Sequence, residues 1–263
     1  SEFNLPNAVV TAGAGDNAAA AIGTGTVNDG DCNISLGTSG TVFISQDAFS
    51  VDENNSLHSF AHANGKYHLM GCILSAASCN KWWMDDIIGT KDYGAEQAAI
   101  EKLGENHVFF LPYLMGERSP HNDPMARGTF VGLTMDNTRA DMTQAVLEGV
   151  IFALRDSFEV AGKLGINVTS TKVCGGGAKS PLWRKMIANI MNVSVEIINS
   201  EEGPGYGGAI LAAVVREFAA YLAPEYNFDA LIYADFGTTT ADPVKSFVDP
   251  VAAGLVTEGS TAS

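Results

Sequence analysis

Positive charge is scarce in this sequence, with 15 Lys and Arg standing against 30 Asp and Glu for a formal net charge of −15. A polyanion would be repelled unless a dense basic stripe offset that field. The sequence holds no such stripe, so nucleic acid is not an expected partner. Long apolar runs are missing as well: none approaches the roughly 20 residues a membrane helix needs. The first residues lack a basic segment leading into an apolar core, so no secretory signal is expected. Cysteine is rare, at positions 32, 72, 79 and 174 only, with no C-x-x-C pair. Thiols so placed in apolar segments read as reduced core residues of a cytoplasmic protein. His58, His62, His68 and His107 show no metal-ligand spacing and read as structural or exposed.

What remains is a chain of 263 residues, 46% hydrophobic, with 28 glycines and 9 prolines. That composition belongs to a globular α/β protein able to bury a sizeable core. Its central feature is Ile34-Ser35-Leu36-Gly37-Thr38-Ser39-Gly40-Thr41-Val42-Phe43. Two β-type runs, 32–36 and 41–45, flank a turn of glycine and hydroxyl residues. Gly37 and Gly40 admit backbone angles closed to other residues, so amides can converge on one point beside the Thr38 and Ser39 hydroxyls. Such a concavity suits phosphate. The same four residues also make an ordinary tight hairpin.

Along the chain, residues 7–12 read as a short buried strand, and Asp16 as the N-cap of an alanine helix over 17–22. A polar loop (47–56), a third strand (66–73), a helix opened by Ser75 (75–88) and a surface helix (94–103) follow. An apolar strand over 108–114 runs into a polar loop, and a further segment spans 128–134. Apolar positions 142, 145, 146, 150, 153, 154, 158 and 161 give a helical period over 141–164, closed by Gly165. Then come strand 171–174, the turn Gly175-Gly176-Gly177, helix 180–191, strand 194–198, a glycine-rich lead-in over 203–208 and helix 209–220. Past Phe228 the pattern fades into what reads as a solvated tail. Meandering strands followed by alternating helices and strands predict a ribonuclease H-like fold, a mixed five-stranded sheet flanked by helices.

Four segments carry a more specific signal. They are 12–19 (AGAGDNAA), 35–40 (SLGTSG), 116–128 (GERSPHNDPMARG) and 175–183 (GGGAKSPLW). Each is weak alone; together, in order and at these separations, they resemble the C-terminal half of an FGGY-family carbohydrate kinase. The Arg118-Ser119-Pro120-His121-Asn122-Asp123-Pro124 run is most similar to the xylulokinases. The resemblance covers roughly residues 6–222, implies a nucleotide-binding C-terminal domain there, and leaves 223–263 unassigned. It implies ATP and Mg2+ as cofactors, a sugar as acceptor, and an N-terminal sugar-binding domain, expected to lie outside this chain, as partner. A homodimer is left open. By this resemblance Asp16 is the catalytic aspartate and Asn17 touches sugar hydroxyls. Gly37, Thr38, Ser39 and Gly40 face the β- and γ-phosphates, and Gly176, Gly177 and Ala178 contact adenine or ribose. Ala77 and Lys81 fall where related kinases line the nucleotide site, and Pro181 where some carry an adenine-contacting Asn. Glu117, Arg118 and His121 read equally as functional groups or as a salt-bridged loop shaping the cleft.

Three other readings compete. Gly13-x-Gly15-x-x-Ala18 after a strand imitates a dinucleotide fingerprint, but a hairpin follows where a second parallel strand ending in an acidic residue is required. A non-catalytic nucleotide-binding module is the second. Within the family, kinases of gluconate, ribulose or glycerol are the third. Without the facing domain the chain is expected to bind Mg·ATP weakly and to phosphorylate no sugar.

Overall fold

A computed structural model describes residues 8–11, 13–54, 56–198, 203–222 and 230–233. The elements run β1 (Ala8–Thr11), α1 (Asp16–Gly23), β2 (Cys32–Leu36), β3 (Gly40–Gln46), β4 (His58–Ala61) and β5 (Tyr67–Ile73). After these come α2 (Ala77–Lys81), continued by a π-helical stretch Trp82–Ile87, then α3 (Tyr93–Ala98), β6 (Phe109–Leu111) and β7 (Thr129–Val131). The chain goes on through α4 (Arg139–Lys163), β8 (Ser170–Cys174), a 3-10 turn Gly176–Lys179 and α5 (Pro181–Met191). Last are β9 (Ser194–Ile197), α6 (Gly203–Leu222) and β10 (Ala230–Tyr233). Two compact units result, one drawn from the two ends of the chain with His62–Gly65, the other from Asn28–Ala61 and Lys66–Ile198.

In the larger unit a mixed sheet has the order β4-β5-β3-β2-β8-β9. β4, β5, β3 and β2 pair antiparallel, whereas β2-β8-β9 are parallel. The sheet therefore has six strands rather than five. The extra one, β4, is an edge of four residues whose side chains are half-buried or exposed, too short to show an alternating pattern in sequence. Ile34, Leu36, Val42, Ile44, Leu69 and Ile73 are almost wholly buried beneath Leu147, Ile151 and Leu154 of α4. Two buried indoles pin that helix: Trp83 Nε1 donates to Thr143 Oγ1 at 2.9 Å and Trp183 Nε1 to the Leu147 carbonyl at 3.0 Å.

Several boundaries differ from expectation. The helix after β5 starts at Ala77, not Ser75, because backbone carbonyls of the β2–β3 turn satisfy its first amides and no side-chain cap is needed. The helix predicted over 94–103 ends at Ala98 and is capped by Asp92, whose carboxylate accepts from Ala95 N at 2.9 Å. α4 starts two residues earlier than its apolar period, at a capping box in which Thr138 and Asp141 bond each other's amides. Strands β6 and β7 are three residues each and form a separate two-stranded sheet.

In the smaller unit β1 pairs parallel with β10, so part of the segment read as tail is a strand. Residues 237–240 and 258–263 lie outside the described residues. The glycine-rich stretch 203–208 is the first part of α6 rather than a lead-in to it. A Cβ on Gly207 would collide with the Ala19 carbonyl, and Ala19, Ala20, Ala21, Ala209, Ala212 and Ala213 are buried. Small residues let the backbones of α1 and α6 touch, which offsets a glycine's helix cost of about 1 kcal/mol.

Two measurements follow from α4. A Cβ on Gly149 would collide with the Phe110 carbonyl of β6, whereas one on Gly162 meets nothing within 4 Å. Gly149→Ala is expected to lower stability by about 2 kcal/mol or more, and Gly162→Ala to raise it by up to about 1 kcal/mol, both read from urea unfolding midpoints. The Asp141 carboxyl is held below its usual range by the Thr138 amide and hydroxyl. A depressed folded value contributes stability that is present above pH 4 or so and lost as pH falls through it. The deficit of Asp141→Asn relative to wild type should therefore be full at pH 7 and shrink below about pH 4; a pH-independent deficit would contradict this.

Candidate functional site

β2 and β8 lie side by side and parallel, with Ser35 opposite Cys174. The turns that leave them, 37–39 and 175–179, therefore emerge at one end of the sheet. They meet at a cleft of about 560 Å³ lined by Thr38, Gly176 and Gly177, by Ala77, Ser78, Asn80 and Lys81 of α2, by Tyr93, Gly94 and Gln97 of α3, and by Lys179, Ser180, Pro181 and Trp183. The close approach dictates glycine. Gly175 has φ +86°, and a Cβ on it would meet the Leu36 carbonyl at 2.7 Å; one on Gly177 would meet Leu36 Cβ at 2.8 Å. Gly176 is different, because a Cβ there would project into open space.

The hairpin turn is held from one side. The Thr38 carbonyl accepts from Ala76 N at 2.9 Å, Ser78 N at 3.4 Å and Ser78 Oγ at 2.7 Å, while the Gly37 carbonyl accepts from Ala77 N at 2.9 Å. Ser39 Oγ donates to the Leu74 carbonyl at 3.2 Å. No hydrogen bond among the described residues uses the amides of Thr38 and Ser39. On the far wall, Ser180 caps α5 by accepting from Trp183 N at 3.1 Å and donates its hydroxyl to Gln97 Oε1 at 2.6 Å. Arg184 Nη1 donates to the Ala178 carbonyl at 2.7 Å and fixes the 3-10 turn. Lys81 Nζ lies 3.3 Å from Asp85 Oδ2, and Tyr93 donates its hydroxyl to Asp85 Oδ1 at 3.1 Å. Burial, then the Asp85 contact, raises the Tyr93 phenol above its ordinary value.

Of the sequence-predicted residues, Thr38, Gly176 and Gly177 are brought together around this cleft, along with Ala77, Lys81 and Pro181. Gly37, Ser39 and Gly40 complete the turn without lining it, and Ala178 lies within the 3-10 turn behind Gly177. Asp16 and Asn17 belong to the smaller unit. Gly15, not Asp16, is the N-cap of α1. Asp16 is already helical, and among the described residues its exposed carboxylate accepts only from Asn17 N at 2.7 Å and Asn17 Nδ2 at 3.1 Å. Glu117 is buried, and its Oε1 accepts from Leu74 N at 3.0 Å and Arg118 N at 2.7 Å. His121 Nε2 stands between Tyr113 OH at 3.0 Å and Asp156 Oδ2 at 3.2 Å. Sequence reasoning missed Asn80, Tyr93, Gln97 and Lys179. Lys179, a cation beside a glycine turn in so acidic a chain, carried a readable signal; Tyr93 and Gln97 reach the cleft by packing alone.

The match to known proteins covers most of this architecture. A family model described as the FGGY family of carbohydrate kinases, C-terminal domain, matches residues 32–215. The chain is 42% identical over 216 residues to the xylulose kinase of Escherichia coli (strain K12), covering 81% of this chain and 44% of that one. The crystal structure of a xyloylose kinase from Brucella ovis aligns with TM-score 0.73 at 41% identity, over 78% of this chain and 43% of the other. Gluconate kinase from Lactobacillus acidophilus aligns with TM-score 0.69 at 25% identity, over 87% of this chain and 46% of the other. The chain thus spans less than half the length of these relatives. Its fold is the ribonuclease H-like one of these sugar kinases, shared with actin and hexokinase. The chain belongs to the FGGY family of carbohydrate kinases, whose C-terminal domain it matches.

Proposed function

We propose that residues 6–222 are the nucleotide-binding domain of an ATP-dependent sugar kinase whose acceptor is D-xylulose, and that the cleft between the two glycine turns takes the nucleotide. The observation that carries this is the convergence of Thr38 and Gly176–Gly177 on one cavity. The residues fit a nucleotide. Amides of Thr38 and Ser39 without acceptors among the described residues suit phosphate oxygens, and the bare Gly176 leaves room for a flat base or ribose against the wall. Lys81, paired with Asp85, and Lys179 are cations among the residues that line the cleft. Mg2+ would come bound to the phosphates and screen their charge. Relatives named xylulose kinase support the acceptor, and the gluconate kinase likeness supports the broader sugar-kinase reading.

In such a transfer the sugar oxygen bonds to the γ-phosphorus as the bond to the ADP oxygen breaks, and little covalent chemistry is left to the protein. The residue assigned to the proton is Asp16. Because its side chain caps no helix amide beyond its neighbour Asn17, the carboxylate is free of a structural duty that would compete with that role. Asn17, bonded to it, is assigned to the sugar hydroxyls.

Calorimetric titration of this chain with Mg·ATP tests the cleft. Gly176→Leu should move the unfolding midpoint little, since its Cβ meets no protein atom within 4 Å, yet weaken ATP binding at least about tenfold by projecting into the cavity. Unchanged affinity would place the nucleotide elsewhere.

Asp16→Asn in the whole enzyme tests the base. Stability should move by no more than about 0.5 kcal/mol and ATP affinity by about twofold or less, while kcat falls by about 10² to 10⁴. Turnover near the wild-type level would remove Asp16 from the chemistry.

A further inference from the structure

Glu117 is only 3% exposed, and it is buried without a cation paired to it among the described residues. Burying a carboxylate this way is costly unless its oxygens are bonded. One oxygen is: Oε1 takes the amides of Leu74 and Arg118. The other, Oε2, is buried with no hydrogen-bond partner among the described residues, as are Ser75 Oγ, next to Leu74 in sequence, and Ser119 Oγ, two residues beyond Glu117. The Ser119 amide donates to the Cys72 carbonyl at 3.0 Å, so the whole loop is laid along the end of β5. Desolvation raises the Glu117 carboxyl, against the pull of its two amide bonds. A residue kept under these terms is doing something an apolar side chain could not.

The end of β5 it grips is the platform of the hairpin turn. Leu74 gives its amide to Glu117 and its carbonyl to Ser39. Ala76, Ala77 and Ser78, next along, donate to the carbonyls of Thr38 and Gly37. There is no slack on the remaining side, where a Cβ on Gly40 would meet Ile73 Cγ1 at 2.9 Å and Ala76 Cβ at 3.0 Å. Freed from Glu117, the Leu74 peptide would be the loose point in this otherwise closed set of bonds.

We propose that Glu117 is a positioning residue for the hairpin turn: by holding the Leu74 amide it fixes the carbonyl that anchors Ser39, and thereby holds the turn so that Thr38 stays at the cleft. The consequence for phosphate rests on the nucleotide reading above; the mechanical coupling does not. Glu117→Gln retains an acceptor for both amides, while Glu117→Ala removes it. Amide hydrogen exchange of this chain then reads the turn. In Glu117→Ala the amides of Ala76, Ala77 and Ser78, which donate to the turn, should exchange about tenfold faster, with α5 amides unchanged and Glu117→Gln near wild type. Ser39→Ala cuts the same link at its other end and should speed the same amides, which keeps the test decisive should Glu117→Ala not fold. Titrations with Mg·ATP and AMP provide the second arm: Glu117→Ala should weaken ATP about tenfold but AMP less than about twofold. Equal acceleration of all amides, no acceleration at 76–78, or a parallel loss of ATP and AMP would overturn the proposal. A wild-type chain that binds neither nucleotide would defeat the functional reading, and the exchange result would still decide the role of Glu117.

Discussion

Because β2 and β8 run parallel and in register from Asn33–Lys172 to Ser35–Cys174, the segments leaving them cannot avoid each other. Two loops far apart in sequence, at 37–40 and 175–179, are delivered to the same end of the sheet. Open α/β sheets bind ligands at such carboxyl ends. The glycine pattern of the cleft follows from that pairing. Gly175 and Gly177 are glycines because Leu36 stands against them, and Gly176 is one although nothing touches it. The first two serve packing; the third keeps a wall bare.

The supports of the cleft are less obvious than its lining. On one side the turn 37–40 takes the place of a helix cap for α2, its carbonyls receiving amides that Ser75 was expected to serve. Glycine turn and helix entry therefore form one bonded body. On the other side the short α3 is tied down through its buried Glu96, bonded to Arg139 of α4, and its Gln97 receives the Ser180 hydroxyl at the mouth of α5.

The smaller unit is organised by a different rule. Its two helices are matched through alanine and glycine, so backbone approach replaces large side chains as the source of contact. That explains a stretch as glycine-rich as Gly203–Gly208 inside a helix, against propensity. It also leaves Asp16 at the helix start with its carboxylate in solvent rather than folded back as a cap.

Sequence alone determined whatever is local or periodic. The two strands of the hairpin, the long apolar stripe of α4 with Gly165 closing it and the strand–glycine–helix order at 170–191 were legible, because turn chemistry and a 3.6-residue period act within a few residues. Gly37 and Gly40 take no left-handed angle, and Gly40 is a glycine because Ile73 and Ala76 crowd it. The four motifs pointed to the family by resemblance, which a short contiguous run of residues can carry. What tertiary structure decided was which of these meet. The edge strand β4 exists only because β5 offers it a partner, and α2 begins at Ala77 only because the turn supplies acceptors. Tyr93 and Gln97 line the cleft, and Glu117 is buried behind the turn, through packing between segments separated by dozens of residues. No window of sequence contains both partners of such contacts, so their energies are decided in three dimensions.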